Sequence, residues 1–287
     1  MKKILLAIVF AALSMTSLRA EEKTKIYSFD DITRIEACML YEVHITEGTS
    51  GQVKVVYEED YEKHLRVKYI GGEHKLKLQL NDIPKKFKRG HQPTIHVYIE
   101  MDRIDEIELS GAGSLIFNGR FSGSEDLDIS MSGVSRISGL TIDGKGLSIS
   151  CSGSCNSEIS GNFSDSVEMD FSGACKGKYN LSAKDLRGEL SGATKVSIEG
   201  KIATDTEMEL SGASKLDMKG STESFEFEVS GASNIDAKDF IAQNARGVLS
   251  GASQAQIHAV KSLVYESTKT TRMNIYGSPE VEHKTDL

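Results

Sequence analysis

Four carboxylates, Asp170, Glu189, Glu209 and Glu228, follow one another at intervals of 19, 20 and 19 residues. A second set, Glu168, Glu207 and Glu226, stands two residues earlier in the same copies. Such a series could do two kinds of chemistry. Clustered carboxylates beside a base cleave polysaccharides, often with calcium. Like charges held about 5 Å apart also repel one another, which favours a bound cation or a basic ligand. An active site breaks a repeat with groups that occur once, whereas these acids recur evenly. No catalytic residue is therefore assigned, and the chain reads as a non-enzyme. Asp170, Glu189, Glu209 and Glu228 remain the candidate ligand- or cation-binding row, and a solvated face that keeps the molecule soluble is the plainer reading of them.

Cys155 and Cys175 lie three residues after Ser152 and Ser172. If those copies stack, their Cα atoms fall near 4.8 Å apart, within the reach of a disulfide. A bridge and a pair of small free thiols both fit, while Cys151 and Cys38 read as reduced core residues. The seven histidines, at positions 44, 64, 74, 91, 96, 258 and 283, show no metal-ligand spacing. No metal and no cofactor is assigned. A basic row, Arg136, Lys176, Lys195 and Lys215, stands four residues after Ser132, Ser172, Ser191 and Ser211 and balances the acids.

One motif sets the elements that position these groups. Ser-Gly occurs at Ser110, Ser132, Ser152, Ser172, Ser191, Ser211, Ser230 and Ser250, at intervals of 19 to 22 residues. One residue before each Ser stand Leu109, Met131, Cys151, Phe171, Leu190, Leu210, Val229 and Leu249. Three before it stand Ile107, Ile129, Ile149, Met169, Met208 and Phe227, with Gly188 and Gly247 in the remaining copies. Apolar, polar, apolar is strand alternation, so each copy enters its Ser-Gly on a strand with one buried face. A small residue follows in most copies, then a second alternating strand such as Lys195, Val196, Ser197, Ile198. Gly permits unusual backbone angles at the bend, and the Ser hydroxyl can satisfy backbone groups there.

Helical periodicity is missing throughout, which excludes α/β architectures. A unit of about 20 residues cannot bury its apolar face alone, but stacked copies can. Propeller blades need about 40 residues and four strands. The expected fold is all-β: a single-domain parallel β-helix, or β-solenoid, right-handed, with about 20 residues per coil. Residues 21–100 are less regular and read as a cap or early coils continuous with the stack, with Ile35 to Ile45 a degenerate coil carrying Cys38-Met39 in place of Ser-Gly. The repeat proper spans 101–277, with Thr268 to Gly277 a worn copy, and 278–287 is a polar tail. The basic loop Pro84 to Arg89 reads as solvated.

Residues 1–20 differ in kind. Lys2 and Lys3 precede an apolar run from Ile4 to Leu13 and a small residue, Ala20, before Glu21-Glu22-Lys23. This pattern reads as a secretory signal peptide, too short to span a bilayer. No later segment reads as a transmembrane helix. The formal net charge of −8 argues against a nucleic-acid partner, which needs a basic field.

The run Ile107-Glu108-Leu109-Ser110-Gly111-Ala112-Gly113, the later Ser-Gly-Ala-Ser copies and Tyr276-Gly277-Ser278-Pro279 resemble the DUF2807 family. So does the start from Phe29 through Val43-His44-Ile45-Thr46-Glu47-Gly48 to Val53–Tyr57. Its members are described as auto-transporter adhesins with a head GIN domain and are common in Bacteroidetes. The resemblance implies an exported β-solenoid with no established biochemical activity. The expected role is a non-enzymatic envelope or surface protein, in the periplasm, on the outer membrane or outside the cell, binding a glycan or another surface protein. The alternatives are a carbohydrate-active enzyme on the same fold and a structural envelope scaffold.

Overall fold

A computed structural model describes residues 22–38, 40–82, 95–123 and 125–284. The expected signal peptide and the loop Pro84 to Arg89 lie outside these residues. The chain forms a parallel β-solenoid of about nine turns with about 20 residues per coil, as the repeat predicts. Each regular coil has a first-face strand leading into the Ser-Gly bend, a second-face strand leaving it, and a short third side. Asp126–Met131 and Arg136–Asp143 form one such coil, and Gly146–Cys151 and Asn156–Asn162 the next.

The coils stack in register at every bend. Leu109, Met131, Cys151, Phe171, Leu190, Leu210, Val229 and Leu249 form one inward ladder, each directly beside the next. All eight are buried. Removing a side chain of this size from water contributes roughly 1.5–3 kcal/mol. The second ladder explains its two glycines. A Cβ on Gly188 would lie 2.4 Å from Met208 Cε, and one on Gly247 would lie 2.2 Å from the Phe227 ring. The glycines make room for the large neighbour in the adjoining coil.

At the bends, all eight glycines of the motif have positive φ, from 69° to 89°. A Cβ at Gly173 would sit 2.5 Å from the carbonyl oxygen of Gly153 below it. The close approach is itself bonded. From Gly133 onward the amide after each motif Gly donates to the Gly carbonyl of the previous coil, as in Ala174 N to Gly153 O at 2.7 Å and Ala193 N to Gly173 O at 2.7 Å. Ser191 and Ser230 Oγ each donate to the previous coil's carbonyl at 3.3 Å, as expected of a hydroxyl ladder.

Inside each bend runs a ladder of small residues: Ser135, Cys155, Cys175, Thr194, Ser214, Ser233 and Ser253, all buried. The structure does not join Cys155 to Cys175; all four cysteines are free. Each thiol turns to its own bend, donating to the carbonyl three residues back: Cys155 Sγ to Ser152 O and Cys175 Sγ to Ser172 O, both at 3.0 Å. Ser214 does the same to Ser211 O at 2.8 Å. The position wants a small donor, and parallel stacking aims neighbouring thiols the same way rather than at each other. Burial pushes the Cys151 and Cys175 thiols above their ordinary range.

The N-terminal part departs from simple stacking. Its strands are β1 Glu22–Ser28, β2 Arg34–Cys38, β3 Tyr41–Glu47, β4 Gln52–Glu58, β5 Leu65–Ile70, β6 Lys75–Leu80 and β7 Ile95–Met101. They meet the repeat at β8 Glu106–Ser110 and β9 Ser114–Asn118. The degenerate coil expected at Ile35 to Ile45 is β2–β3, and Cys38 stands in register with Ser110. It lies between two other coils: β6 and β7 flank it on one side, β8 and β9 on the other, all parallel. The region is thus not a run of coils in chain order, because β6 and β7 return outside β2 and β3. Antiparallel pairs β1–β4, β4–β7 and β5–β6 then close that end, covering a sheet edge that would otherwise stand open.

Lys75 fastens this returned coil. Its Nζ reaches past β2 to Glu106 Oε1 at 2.8 Å and Glu108 Oε1 at 2.9 Å on β8. Burial opposes its charge, but the two carboxylates hold its pKa above the ordinary value. The neighbouring Glu108 carboxyl and then Lys75 hold Glu106 below the usual carboxylate range, although burial acts the other way. At the far end, Arg272–Gly277 pairs in register with Gln254–Ala259, as a worn copy should. Residues Glu280–Lys284, expected as a polar tail, instead form a strand beside Ser262–Glu266.

Three outcomes follow from this packing. Gly173→Ala is expected to lose at least about 1–2 kcal/mol through the left-handed backbone alone, read as a lowered denaturant midpoint. Gly72→Ala, whose added Cβ meets nothing within 4 Å, should leave the midpoint unchanged. Lys75→Met should cost about 1–3 kcal/mol at neutral pH. That difference should shrink as acid protonates Glu106, because a depressed carboxylate stabilises the fold above its unfolded pKa of about 4.3 and ceases to do so once pH falls through the folded value. Finally, alkylation without reductant should leave Cys151 and Cys175 unlabelled in the folded protein and label four thiols after unfolding; two labelled thiols would establish a bridge.

Candidate functional site

The alternation that buries the first-face ladders turns the intervening residues outward. The register therefore converts one sequence position into a row along the axis, with neighbours about 4.8 Å apart. Asp170, Glu189, Glu209 and Glu228 are consecutive members of one such row. All four are exposed. They line one shallow cleft of about 130 Å³ with Ser191, Ser211 and Ser230, the serines of the adjoining bends. The predicted row is thus one continuous feature.

The row extends beyond its predicted members. Toward the N-terminus it continues through Ser150, Ser130, Glu108 and Glu36. There the bend serines Ser110, Ser132, Ser152 and Ser172 line a wider cleft of about 510 Å³ that also reaches Asp170. Between the two lies a cleft of about 420 Å³ bounded by Ser148, Glu168, Arg187 and Glu189. One face of the rod therefore carries a trough in which a stretch of hydroxyls lies between Glu36 and Glu108 on one side and the run Asp170 to Glu228 on the other, the row being interrupted at Val248.

The parallel row of Glu168, Glu207 and Glu226 is not uniformly acidic. Arg187 stands in register between Glu168 and Glu207, and Arg246 follows Glu226. Arg187 Nη2 lies 3.8 Å from both Glu189 Oε1 and Glu207 Oε1. Its guanidinium offsets part of the acidic field near Glu189 and leaves Glu209 and Glu228 as the least compensated neighbours. Arg187 was legible, since it occupies the place of Glu168 relative to its own Ser-Gly. Across the bend, Arg136, Lys176, Lys195 and Lys215 occupy a single row with Asn156 inserted. This row is basic where the matching row of the first face is acidic.

Cys155 and Cys175 belong to the buried ladder inside the bend, away from this surface. The fold also gathers three residues whose spacing points to no ligand set, Glu42, His44 and His96, on the second face of the N-terminal coils. The separation of 52 residues between His44 and His96 hides the group in the sequence. The signal present is Glu42-Val43-His44, two ligand-forming residues on one side of a strand. Among the described residues no helix is long and apolar enough to cross a membrane.

Solved structures with a similar course of chain include a protein described as a "putative adhesin" from Parabacteroides distasonis ATCC 8503. It is 13% identical over 92% of this chain and 98% of its own, with a TM-score of 0.48. A "putative lipid binding protein" from the same organism is 16% identical, over 92% and 95%, with a TM-score of 0.43. A "putative adhesin" from Parabacteroides merdae ATCC 43184 is 14% identical, over 92% and 97%, with a TM-score of 0.45. No curated protein matches the chain. The family model DUF2807, described as "Putative auto-transporter adhesin, head GIN domain", matches residues 31–197 and again 165–279. Those matches take in the N-terminal coils and the whole Ser-Gly repeat, and the chain belongs to this family of adhesin type.

Proposed function

We propose that the protein is an exported, non-enzymatic binding module of the cell envelope or surface. Its acidic and hydroxyl-lined first face engages a glycan or another surface protein. The observation that carries this reading is the in-register row Asp170, Glu189, Glu209, Glu228, exposed along one trough with the bend serines. Carboxylates and hydroxyls repeated at a constant step suit an extended polymer, because each step offers the same acceptors to the next unit of the ligand. Family membership supports the adhesive role. The even repetition also fits binding better than catalysis, which needs unlike groups converging on one point.

The row carries an energetic signature. Like charges directly opposite on neighbouring strands destabilise a sheet. Neutralising one should therefore raise stability, and if the row exists to bind, it should weaken binding. The double substitution Glu209→Gln, Glu228→Gln is expected to raise the unfolding free energy by a few tenths of a kcal/mol, about the scale of exposed charge pairs. On a glycan array and in pull-downs from surface extracts, the same variant should retain at least tenfold less ligand than the parent chain from residue 21 onward. An array and pull-down blank for the parent would remove the adhesive role. Product release from polysaccharides, abolished by Glu189→Gln, would replace it with an enzymatic one. Fractionation of the native cell should find the protein outside the cytoplasm.

A further inference from the structure

The second face carries a cluster that the acidic trough does not involve. Glu42 and His44 are two residues apart on β3, so their side chains leave the same side of the strand. Beside it runs β7, in the parallel register that pairs Glu42 with His96 and His44 with Tyr98. Three donors from two strands meet as a result. Glu42 Oε1 lies 2.9 Å from His44 Nε2 and 3.1 Å from His96 Nδ1. The ligand atoms of all three residues fall within 4.8 Å of one another.

His96 Nδ1 is shut off from water and makes no hydrogen bond, despite its closeness to the carboxylate. Leaving a buried polar atom without a partner is costly. A nitrogen lone pair facing a carboxylate oxygen without a proton between them is repulsive, and a cation placed between the two removes that repulsion. The framework around the cluster is firm. Strand β3 is paired on both sides, by β7 and β9, and its inward residues Tyr41, Val43 and Ile45 are buried. The His44 ring stacks on Tyr98, with centroids 5.0 Å apart and planes inclined by 13°, which fixes its orientation.

We propose that Glu42, His44 and His96 form a binding site for a divalent transition-metal ion, with zinc the best match. Two imidazoles and one carboxylate suit zinc, whereas calcium asks for six to eight oxygens. Tetrahedral donors about 2.0–2.1 Å from zinc stand about 3.3 Å from one another. The separations of 2.9 and 3.1 Å are already close to that value. Three protein donors leave a fourth position. The side chains of Glu42 and His44 are each 32% exposed and that of His96 39%, so this position faces solvent, where water or a donor atom from a partner completes the set. The site stands on its own geometry and is independent of the role proposed for the acidic face.

Titration of the chain from residue 21 onward with zinc chloride, followed by calorimetry, tests the site. One equivalent of zinc should bind at it, while calcium chloride at the same concentrations should give no heat. Glu42→Gln, His44→Gln and His96→Gln should each weaken zinc binding at least about tenfold, and His258→Gln should leave it unchanged. A readout on the unsubstituted protein guards against misfolded variants. Zinc should protect His44 and His96, and not His258, from diethyl pyrocarbonate, as mapped by mass spectrometry. Failure of the parent chain to bind zinc, binding untouched by all three substitutions, or equal protection of every histidine would each overturn the proposal and leave the cluster an ion-pair network.

Discussion

The left-handed bend at Ser-Gly is the constraint on which the rest of the molecule depends. A glycine with φ between 69° and 89° turns the chain between two faces, and the backbone of the next coil then packs directly against it. A side chain at that point would occupy the space of the carbonyl below, 2.5 Å from Gly153 O in the case of Gly173. The bend can therefore stack only on another bend. The amide–carbonyl bonds from one Gly-containing turn to the next, near 2.7 Å, make the corner part of the sheet rather than a break in it. Neighbouring coils are thereby held in one register, since a slip of one residue would oppose a Cβ to that carbonyl and turn each core side chain outward.

A fixed register has a cost as well as a use. Whatever residue occupies an outward position is placed beside its counterpart in the coils above and below. For Glu189, Glu209 and Glu228 this means a column of like charges, partly offset by Arg187. The same column, with its flanking serines, is a surface with a constant chemical step. Stability and recognition therefore draw on the same residues with opposite sign. The cysteines obey the inner version of this rule: a small donor is needed inside each bend, and Cys155 and Cys175 fill the need met elsewhere by Ser214 and Thr271.

The N-terminal coils follow a different logic. The sequence between β6 and β7 holds no Ser-Gly, and the two strands lie outside β2 and β3. Lys75 holds β6 from the other side of β2 through two carboxylates on β8, and three antiparallel pairs finish the edge. This placement also carries His96 to Glu42.

The spacing of Ser-Gly determined the fold class, the coil length, the inward ladders and the acidic row, because each is a periodic property and stacking simply adds copies. The worn last copy was legible for the same reason, through Thr268 and Arg272, whose amides take up the positions of the motif. Periodicity could not reveal what happens once in the chain. The out-of-order placement of β6 and β7 is fastened by Lys75 meeting Glu106 and Glu108, a contact between groups more than 30 residues apart. The direction of the Cys155 and Cys175 thiols, each toward its own bend carbonyl, is likewise something that spacing does not specify. The meeting of Glu42, His44 and His96 depends on β3 and β7 lying side by side although 47 residues separate Glu47 from Ile95. Repetition made the rod readable from its residues, and only the closure of its end, set by long-range packing, brought the singular groups together.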